Sequence, residues 1–224
     1  MNQSEVKIFA SFSIIIGVIV WLTAYKINSF EVVSLDSLKH INLGISAAGL
    51  FWFCYFKWIW KWSYINKLLY RPNLNGTWLG EFESDWKNPQ GNTNPPMRFV
   101  LVVRQSWFSV SINAFTNLQR TESYAETLVL EKEKGKKLLA YLFSQKFSGA
   151  GNKESRQGAA ELDFADTKFK KVLAGHFWTR AGTSGYIKVK KASKKQHIVS
   201  FEEAEETWPD RSHWQPINSF NSDE

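Results

Sequence analysis

The hydrophobic and polar positions divide the chain into two long apolar segments followed by many short alternating ones. Residues 8–25 form an uncharged run of 18, and residues 41–60 form a run of 20 in which Lys57 is the single charge. A helix of about 20 apolar residues crosses the hydrocarbon core of a bilayer and satisfies its own backbone hydrogen bonds there. Both segments are therefore predicted to be transmembrane helices, which the polar residues 26–40 join into a hairpin.

The charges beside the apolar segments predict the orientation of this hairpin. The connection has Lys26 and Lys39 against two acids, whereas residues 57–71 have four basic residues and no acid. Positive residues next to membrane spans stay in the cytoplasm, and tryptophans such as those within residues 58–62 collect at the membrane interface. We therefore expect the N-terminus and everything after residue 71 to lie in the cytosol. The alternatives are a cleaved signal peptide and a buried core helix.

Beyond Pro72 and the turn signal Asn75-Gly76, short segments of alternating hydrophobicity follow one another to residue 191. Such segments, separated by turn signals and without a strong helical period, are typical of an antiparallel sheet closed on itself. The pattern therefore predicts an eight-stranded antiparallel up-and-down β-barrel, lipocalin-like, with a β-sandwich as the alternative. Its fifth strand is the least defined, because residues 136–142 also have helical propensity. We predict strands at residues 77–85, 98–105, 107–116, 122–132, 137–147, 156–164, 171–180 and 186–191.

These elements predict three parts of the chain. Residues 1–71 form the two helices and a linker, residues 72–192 form a cytosolic barrel domain, and residues 193–224 form a polar C-terminal tail. Within the tail, an acidic segment predicts a helix of one or two turns, and Trp208 and Trp214 indicate docking onto the barrel. The last ten residues are predicted to be disordered.

Charge and composition limit the function. Of the net charge of +7, residues 1–71 hold +4, which favours contact with anionic lipid over binding of duplex nucleic acid. Cys54 is the one cysteine and lies in the second apolar segment, which excludes a disulfide framework and a cysteine zinc site. No nucleophile or phosphate-loop motif is present, and the four histidines lack ligand spacing. We therefore expect a protein that is not an enzyme and has no cofactor and no metal.

Strand parity predicts which side chains face the barrel interior. Aromatic rings can stack on bases, and guanidinium groups bind phosphate through paired hydrogen bonds. An aromatic interior with hydroxyl groups and an arginine rim therefore favours a ligand with flat bases and phosphates, the alternative being ordinary core filling and surface charge. The inward rings are Trp78, Phe82, Tyr141, Phe143 and Phe177, the polar groups of the same parity are Ser84, Gln105, Ser123 and Thr179, and the strand-end arginines are Arg98, Arg104 and Arg180.

Three motifs occur in a particular order: NGTWLG at residues 75–80, RQSW at residues 104–107, and LAGHFWTR at residues 173–180 followed by GYI. With the preceding hairpin, they make the chain similar to the two-transmembrane, STING-like β-barrel effectors of bacterial cyclic-oligonucleotide anti-phage signalling (CBASS). The resemblance implies that a partner nucleotidyltransferase makes a cyclic dinucleotide, which the barrel binds. Self-association into a homo-oligomer then disrupts the inner membrane and kills the infected cell.

The resemblance and the strand parity together predict a ligand site. Its rings are expected to stack on bases, its hydroxyls to bond base edges or ribose, and its arginines to meet phosphate. A membrane-tethered carrier of an apolar molecule and a structural module with a filled barrel are the competing hypotheses, and no DNA or RNA polymer is expected as a partner. The predicted site residues are Trp78, Phe82, Ser84, Arg104, Ser123, Tyr141, Phe177, Thr179 and Arg180.

Overall fold

The structure is a computed structural model of the chain. It describes residues 3–28, 35–62, 64–65, 69–88, 90–147, 156–167 and 170–214. The chain forms two compact units, Met1–Ile65 and Asn66–Glu224. The first unit is helical and the second is built on a β-sheet.

The helical unit contains α1 (Gln3–Asn28) and α2 (Leu35–Lys57), followed by a short 3-10 turn. Within it, Phe9–Ile27 and Asn42–Lys61 are long and apolar enough to cross a membrane. These bounds lie within two residues of the apolar segments predicted at 8–25 and 41–60. The helices also extend into the predicted connection, whose central residues 29–34 lie outside the described part of the chain.

Small and aromatic side chains join α1 to α2. A Cβ atom on Gly44 would lie 3.4 Å from the carbonyl oxygen of Gly17, so the two backbones approach closely there. The Trp52 indole nitrogen donates a hydrogen bond of 2.7 Å to Ser13 Oγ. Nearby, the Phe9 ring meets the Trp52 ring edge-on at 4.7 Å. The two helices therefore form an antiparallel pair with specific contacts.

The second unit contains eight strands, each antiparallel to the next, and the last strand pairs with the first. This closed up-and-down barrel confirms the predicted fold. The β-sandwich alternative is wrong, because a sandwich would leave the first and last strands unpaired with each other. The strands are β1 (Gly76–Ser84), β2 (Met97–Gln105), β3 (Val110–Phe115), β4 (Gln119–Glu131), β5 (Lys136–Phe147), β6 (Arg156–Asp166), β7 (Lys171–Thr179) and β8 (Ser184–Ser193).

Two turns change the predicted bounds of β3 and β4. The backbone amide of Ser106 donates to Ser109 O at 2.8 Å. Because of this turn, β3 begins at Val110 and not at residue 107 as predicted. On the other side of β3, Thr116 Oγ1 accepts a hydrogen bond of 3.1 Å from the amide of Gln119. This tight turn lets β4 begin three residues before its predicted start. Such side-chain turns are not visible in hydrophobic periodicity.

The two ends of the barrel differ. We call the end formed by residues 69–75, the turns 106–109 and 132–135 and the hydrogen-bonded residues Thr167 and Lys170 the closed end, and the opposite end the open end. At the closed end, Trp78 is fully buried, and its indole nitrogen donates to Leu74 O at 2.9 Å. Leucines on β2, β5, β6 and β7 fill the interior around it. The closed half of the barrel is therefore a packed hydrophobic core.

A polar network fixes the closed end. The Gln105 side chain accepts a hydrogen bond of 2.7 Å from the Leu74 amide and donates one of 3.2 Å to Pro72 O. Asn75 Oδ1 accepts hydrogen bonds of 2.6 Å from the Gln105 amide and from Gln196 Nε2. Gln105, predicted to share the ligand-facing parity, thus satisfies buried backbone groups instead.

The chain after β8 covers the outer face of β1 and β2. It contains α3 (Phe201–Thr207), whose first turn is capped by Ser200 Oγ accepting from the Glu203 amide. Phe201 and Trp214 pack there against outward residues such as Val100. The segment that the sequence analysis assigns to a polar tail is thus docked on the barrel up to residue 214, and residues 215–224 lie outside the described part.

We expect Trp214→Ala to lower the free energy of unfolding of the barrel by about 3–5 kcal/mol, because the buried indole leaves a cavity beneath α3. Trp178→Ala, on the half-exposed outer face of β7, is the matched control and should cost less than about 1 kcal/mol. Urea unfolding of the full-length protein in detergent micelles, followed by circular dichroism, measures both values. Equal losses in the two variants would show that α3 does not stabilise the barrel.

Candidate functional site

A cavity of about 60 Å³ lies at the open end of the barrel. It is lined mainly by inward-facing side chains of seven strands, whereas Phe115 belongs to the outer cluster beneath α3. Six of the lining residues are aromatic, and most of the others are threonine or glutamine. The lining consists of Phe82, Phe99, Ala114, Phe115, Thr116, Gln119, Thr121, Tyr141, Phe143, Gln145, Phe177, Thr179 and Ile187.

Glycines opposite two of these rings determine where the rings lie. Phe143 pairs with Gly158 across β5 and β6, and Phe177 pairs with Gly185 across β7 and β8. A Cβ atom at either glycine would come within 2.5 Å of the facing ring. The two rings therefore lie over bare backbone on the wall of the barrel. This arrangement holds them out of the centre and keeps the cavity clear.

Tyr141 lies deeper in the cavity than Phe143 and packs against it with a ring separation of 6.0 Å. It is buried, and burial raises the pKa of its hydroxyl, so the group is protonated at neutral pH. Within the described part of the chain, this hydroxyl makes no hydrogen bond, although it lines the cavity. A hydroxyl in this position offers a donor and an acceptor to a ligand.

Polar side chains line the part of the cavity nearest the mouth of the barrel. Thr179 Oγ1 lies 2.6 Å from Thr183 Oγ1 and accepts from the Thr183 amide at 3.3 Å, which fixes the turn between β7 and β8. Thr121 Oγ1 donates to Ala114 O at 3.4 Å on the opposite wall. The amides of the two lining glutamines add further donors and acceptors. The open end therefore presents aromatic faces deeper in the barrel and hydrogen-bonding groups nearer its mouth.

Two arginines lie at the turns around the open end. Arg180 is exposed in the turn after β7, and its backbone amide donates to Gln157 O at 2.8 Å. The Arg120 guanidinium lies 5.6 Å from the ring of Phe115 and 2.9 Å from the Glu122 carboxylate. Both side chains have the reach to meet an anion over the cavity, and guanidinium groups bind phosphate well.

The structure brings together four of the nine residues predicted for the site. Phe82, Tyr141, Phe177 and Thr179 all line the cavity. Arg180 lies at the same end, outside the lining. Ser84, the last residue of β1, also lies at this end, but its hydroxyl oxygen accepts a hydrogen bond of 3.2 Å from the Trp86 amide.

The other three predicted residues lie elsewhere. Trp78 faces inward but is buried at the closed end. Ser123 Oγ accepts from the Ile112 amide at 2.8 Å and donates to Glu126, so it holds the irregular junction of β3 and β4. Arg104 faces outward, and its guanidinium donates to Gln196 O at 2.9 Å. Its position near a strand end is as predicted, but that end is the closed one.

Sequence reasoning also missed part of the lining. Gln119 and Thr121 lie between the predicted third and fourth strands, so no parity was assigned to them. Phe99 has inward parity in the predicted second strand, and alternation alone could have identified it. Arg120 had no distinguishing signal, because an arginine outside the predicted strands resembles any surface charge.

A larger depression of about 300 Å³ lies on the outer wall of the barrel, across β4, β5 and β6. Its lining includes four alanines, Leu142 and Trp178, and its charged members are Glu126 and Glu161. Carboxylates repel phosphate, so this depression does not suit an anionic nucleotide. The open-end cavity, with arginines at its rim, is the better candidate for such a ligand.

Comparison with known proteins identifies the family. The sequence model of the family described as "Cap15, cyclic dinucleotide receptor domain" matches residues 69–191. CD-NTase-associated protein 15 of Yersinia aleksiciae is 31% identical over 198 residues, which cover 83% of this chain and 89% of that protein. The protein of the same name from Escherichia albertii is 27% identical over 194 residues, covering 83% and 94%. The chain therefore belongs to the Cap15 family of CBASS effectors, as its motifs suggested, and its barrel matches a receptor domain instead of a catalytic one.

Proposed function

We propose that the open end of the barrel binds a cyclic dinucleotide. The observation that supports this most directly is the cavity itself, in which five inward aromatic residues and the hydroxyl of Tyr141 lie within the segment that matches the receptor domain. Aromatic faces stack on nucleobases, and the sequence-tolerant stacking of each base is worth about 1–3 kcal/mol. The cavity is therefore suited to a base.

The size of the cavity limits how the ligand binds. Pockets that enclose a small molecule have volumes of about 300–1,000 Å³, whereas the open-end cavity has about 60 Å³. A whole cyclic dinucleotide is therefore not enclosed. One base enters between the rings, and the sugar-phosphate ring lies across the rim. In this pose its phosphates meet Arg180 and Arg120, which flank the turns at the open end.

Hydrogen bonds then select among ligands. The Tyr141 hydroxyl lies where the edge of an inserted base would reach it, and Thr179 and Gln145 lie nearer the rim beside the ribose. A site with buried hydrogen-bonding groups rejects a ligand that leaves those groups unpaired. An apolar carrier would lack this selection and would bind with little dependence on salt. These polar and cationic groups favour the nucleotide over an apolar ligand.

The helix pair supplies the effector part of the proposal. We place α1 and α2 in the bacterial inner membrane as a multi-pass anchor, with the barrel in the cytosol where a partner nucleotidyltransferase makes the messenger. The two apolar helices and the names of the relatives support this placement. Binding favours a homo-oligomeric state of the barrel, since a ligand shifts an equilibrium only by its differential affinity. Clustered helices then disrupt the bilayer.

Tyr141→Phe should weaken binding of the cyclic dinucleotide about tenfold, since it removes one buried hydrogen bond and leaves the ring in place. Tyr186→Phe, on the outer face of β8, is the matched control and should bind like the wild type. Isothermal titration calorimetry of the full-length protein in detergent micelles measures both affinities. Unchanged affinity of Tyr141→Phe would show that the base does not bind in this cavity.

Arg180→Ala should weaken binding by about 10- to 100-fold, because a charge-assisted hydrogen bond to phosphate is lost. Arg104→Ala tests the second predicted phosphate ligand and should leave the affinity unchanged, because Arg104 bonds Gln196 on the outer face. Titrations at several salt concentrations should show a shallower salt dependence for Arg180→Ala alone. The reverse result, in which Arg104→Ala is the weak binder, would show that the phosphates do not bind at the open end.

The membrane step is tested with dye-loaded vesicles containing the full-length protein. Addition of the cyclic dinucleotide should release the dye, and a linear dinucleotide should not. Gly44→Leu should reduce the release several-fold with unchanged nucleotide affinity, because a side chain there separates the two helices. Gly49→Leu, where a Cβ atom meets nothing within 4 Å, is the control. Nucleotide binding without any dye release from wild-type vesicles would contradict the effector step.

A further inference from the structure

Four lysines gather at the closed end of the barrel, away from the proposed nucleotide site. Lys137, Lys171 and Lys191 lie within the first two residues of β5, at the start of β7 and two residues before the end of β8, and their register gives them inward parity. Lys194 follows β8. We call these four residues the lysine cluster. They have no role in the nucleotide site, and lysines rarely take inward positions in a filled barrel unless something pairs with them.

Aromatic rings separate these lysines from the hydrophobic core. Lys191 Nζ lies 5.5 Å from the centre of the Trp78 ring and 3.3 Å from Asn73 O. Lys137 Nζ lies 4.3 Å from the Tyr70 ring and 5.9 Å from the Phe164 ring. Both ammonium groups thus lie against aromatic rings at the closed end of the packed core.

The cluster has more positive than negative charge. Asp166 lies 3.5 Å from Lys171 Nζ and is the acid that acts on this group of charges. Burial, followed by repulsion from Lys171 and Lys194, lowers the pKa of Lys191 to about 8. Such a lowered pKa means that the charged form is disfavoured by its surroundings. An anion bound among these lysines would relieve the repulsion and raise that pKa again.

We propose that the lysine cluster binds the phosphate of an anionic phospholipid headgroup. The closed end is filled by Trp78, Leu74 and their neighbours, so a phosphate can bind there but a nucleobase beside it cannot enter. Lysines attract anionic lipid surfaces, and Tyr70 is the type of residue that sits at a membrane interface. This end also begins at residue 69, soon after the apolar segment that ends at Lys61. The inference rests on the membrane insertion proposed above.

The test uses full-length protein in vesicles of phosphatidylcholine alone or of an equal mixture with phosphatidylglycerol. Lysines are acylated at pH 8 and quantified by mass spectrometry, and flotation of the vesicles reports insertion independently. In the mixed vesicles, Lys171 and Lys191 should be modified at least about threefold more slowly than in phosphatidylcholine. Lys171→Gln should reduce the protection of Lys191, whereas Lys188→Gln, on the outer face of β8, should retain it.

The outcomes separate this inference from the proposed function. Flotation in both vesicle types with equal modification rates would overturn headgroup binding and leave membrane insertion intact. Protein that floats with neither vesicle type would overturn both. Equal protection by inorganic phosphate in phosphatidylcholine vesicles would assign the cluster to a soluble phosphate and not to lipid. Protection that requires phosphatidylglycerol and Lys171 establishes the site.

Discussion

The pairing of β1 with β8 is the constraint on which the rest of the barrel depends. The two strands approach so closely that a Cβ atom on Gly80 would lie 2.0 Å from Lys188 O, and one on Gly185 would lie 1.9 Å from Glu83 O. Only glycine fits at such an approach. Because this pairing closes the sheet, no strand edge is left from β1 or β8, and every strand has one inner and one outer face.

Closure also explains why the two ends of the barrel have different chemistry. The residues before β1 fold across one end, where Trp78 bonds Leu74 and Gln105 bonds the backbone of residues 72 and 74. At the other end, rings lie against glycines and leave a small cavity. The packed end stabilises the barrel, and the unfilled end is the place where we propose that the ligand binds.

Much of this architecture follows from the sequence, because alternation with a period of two fixes which face of each strand is apolar. The eight strands and the inward parity of Phe82, Tyr141 and Phe177 were predicted in this way. The depth of these side chains along the barrel was not predicted, because it depends on the strand register and on which turns lie at which end. Trp78 has the expected parity but lies at the closed end, and Arg104 is near a strand end but faces outward. Ser123 pairs with the inward Phe143, yet its hydroxyl bonds the Ile112 amide instead of lining the cavity.

The unfilled end leaves polar groups available to a ligand. The Tyr141 hydroxyl belongs to a residue that lines the cavity and makes no hydrogen bond within the described chain, so it offers a donor and an acceptor. In the proposed complex, a base bonds this hydroxyl in the bound state alone. A ligand that binds only the folded barrel stabilises it by mass action. Self-association can be driven only by a difference in the ligand's affinity for the free and the associated barrel, because a ligand with equal affinity for both states shifts no equilibrium.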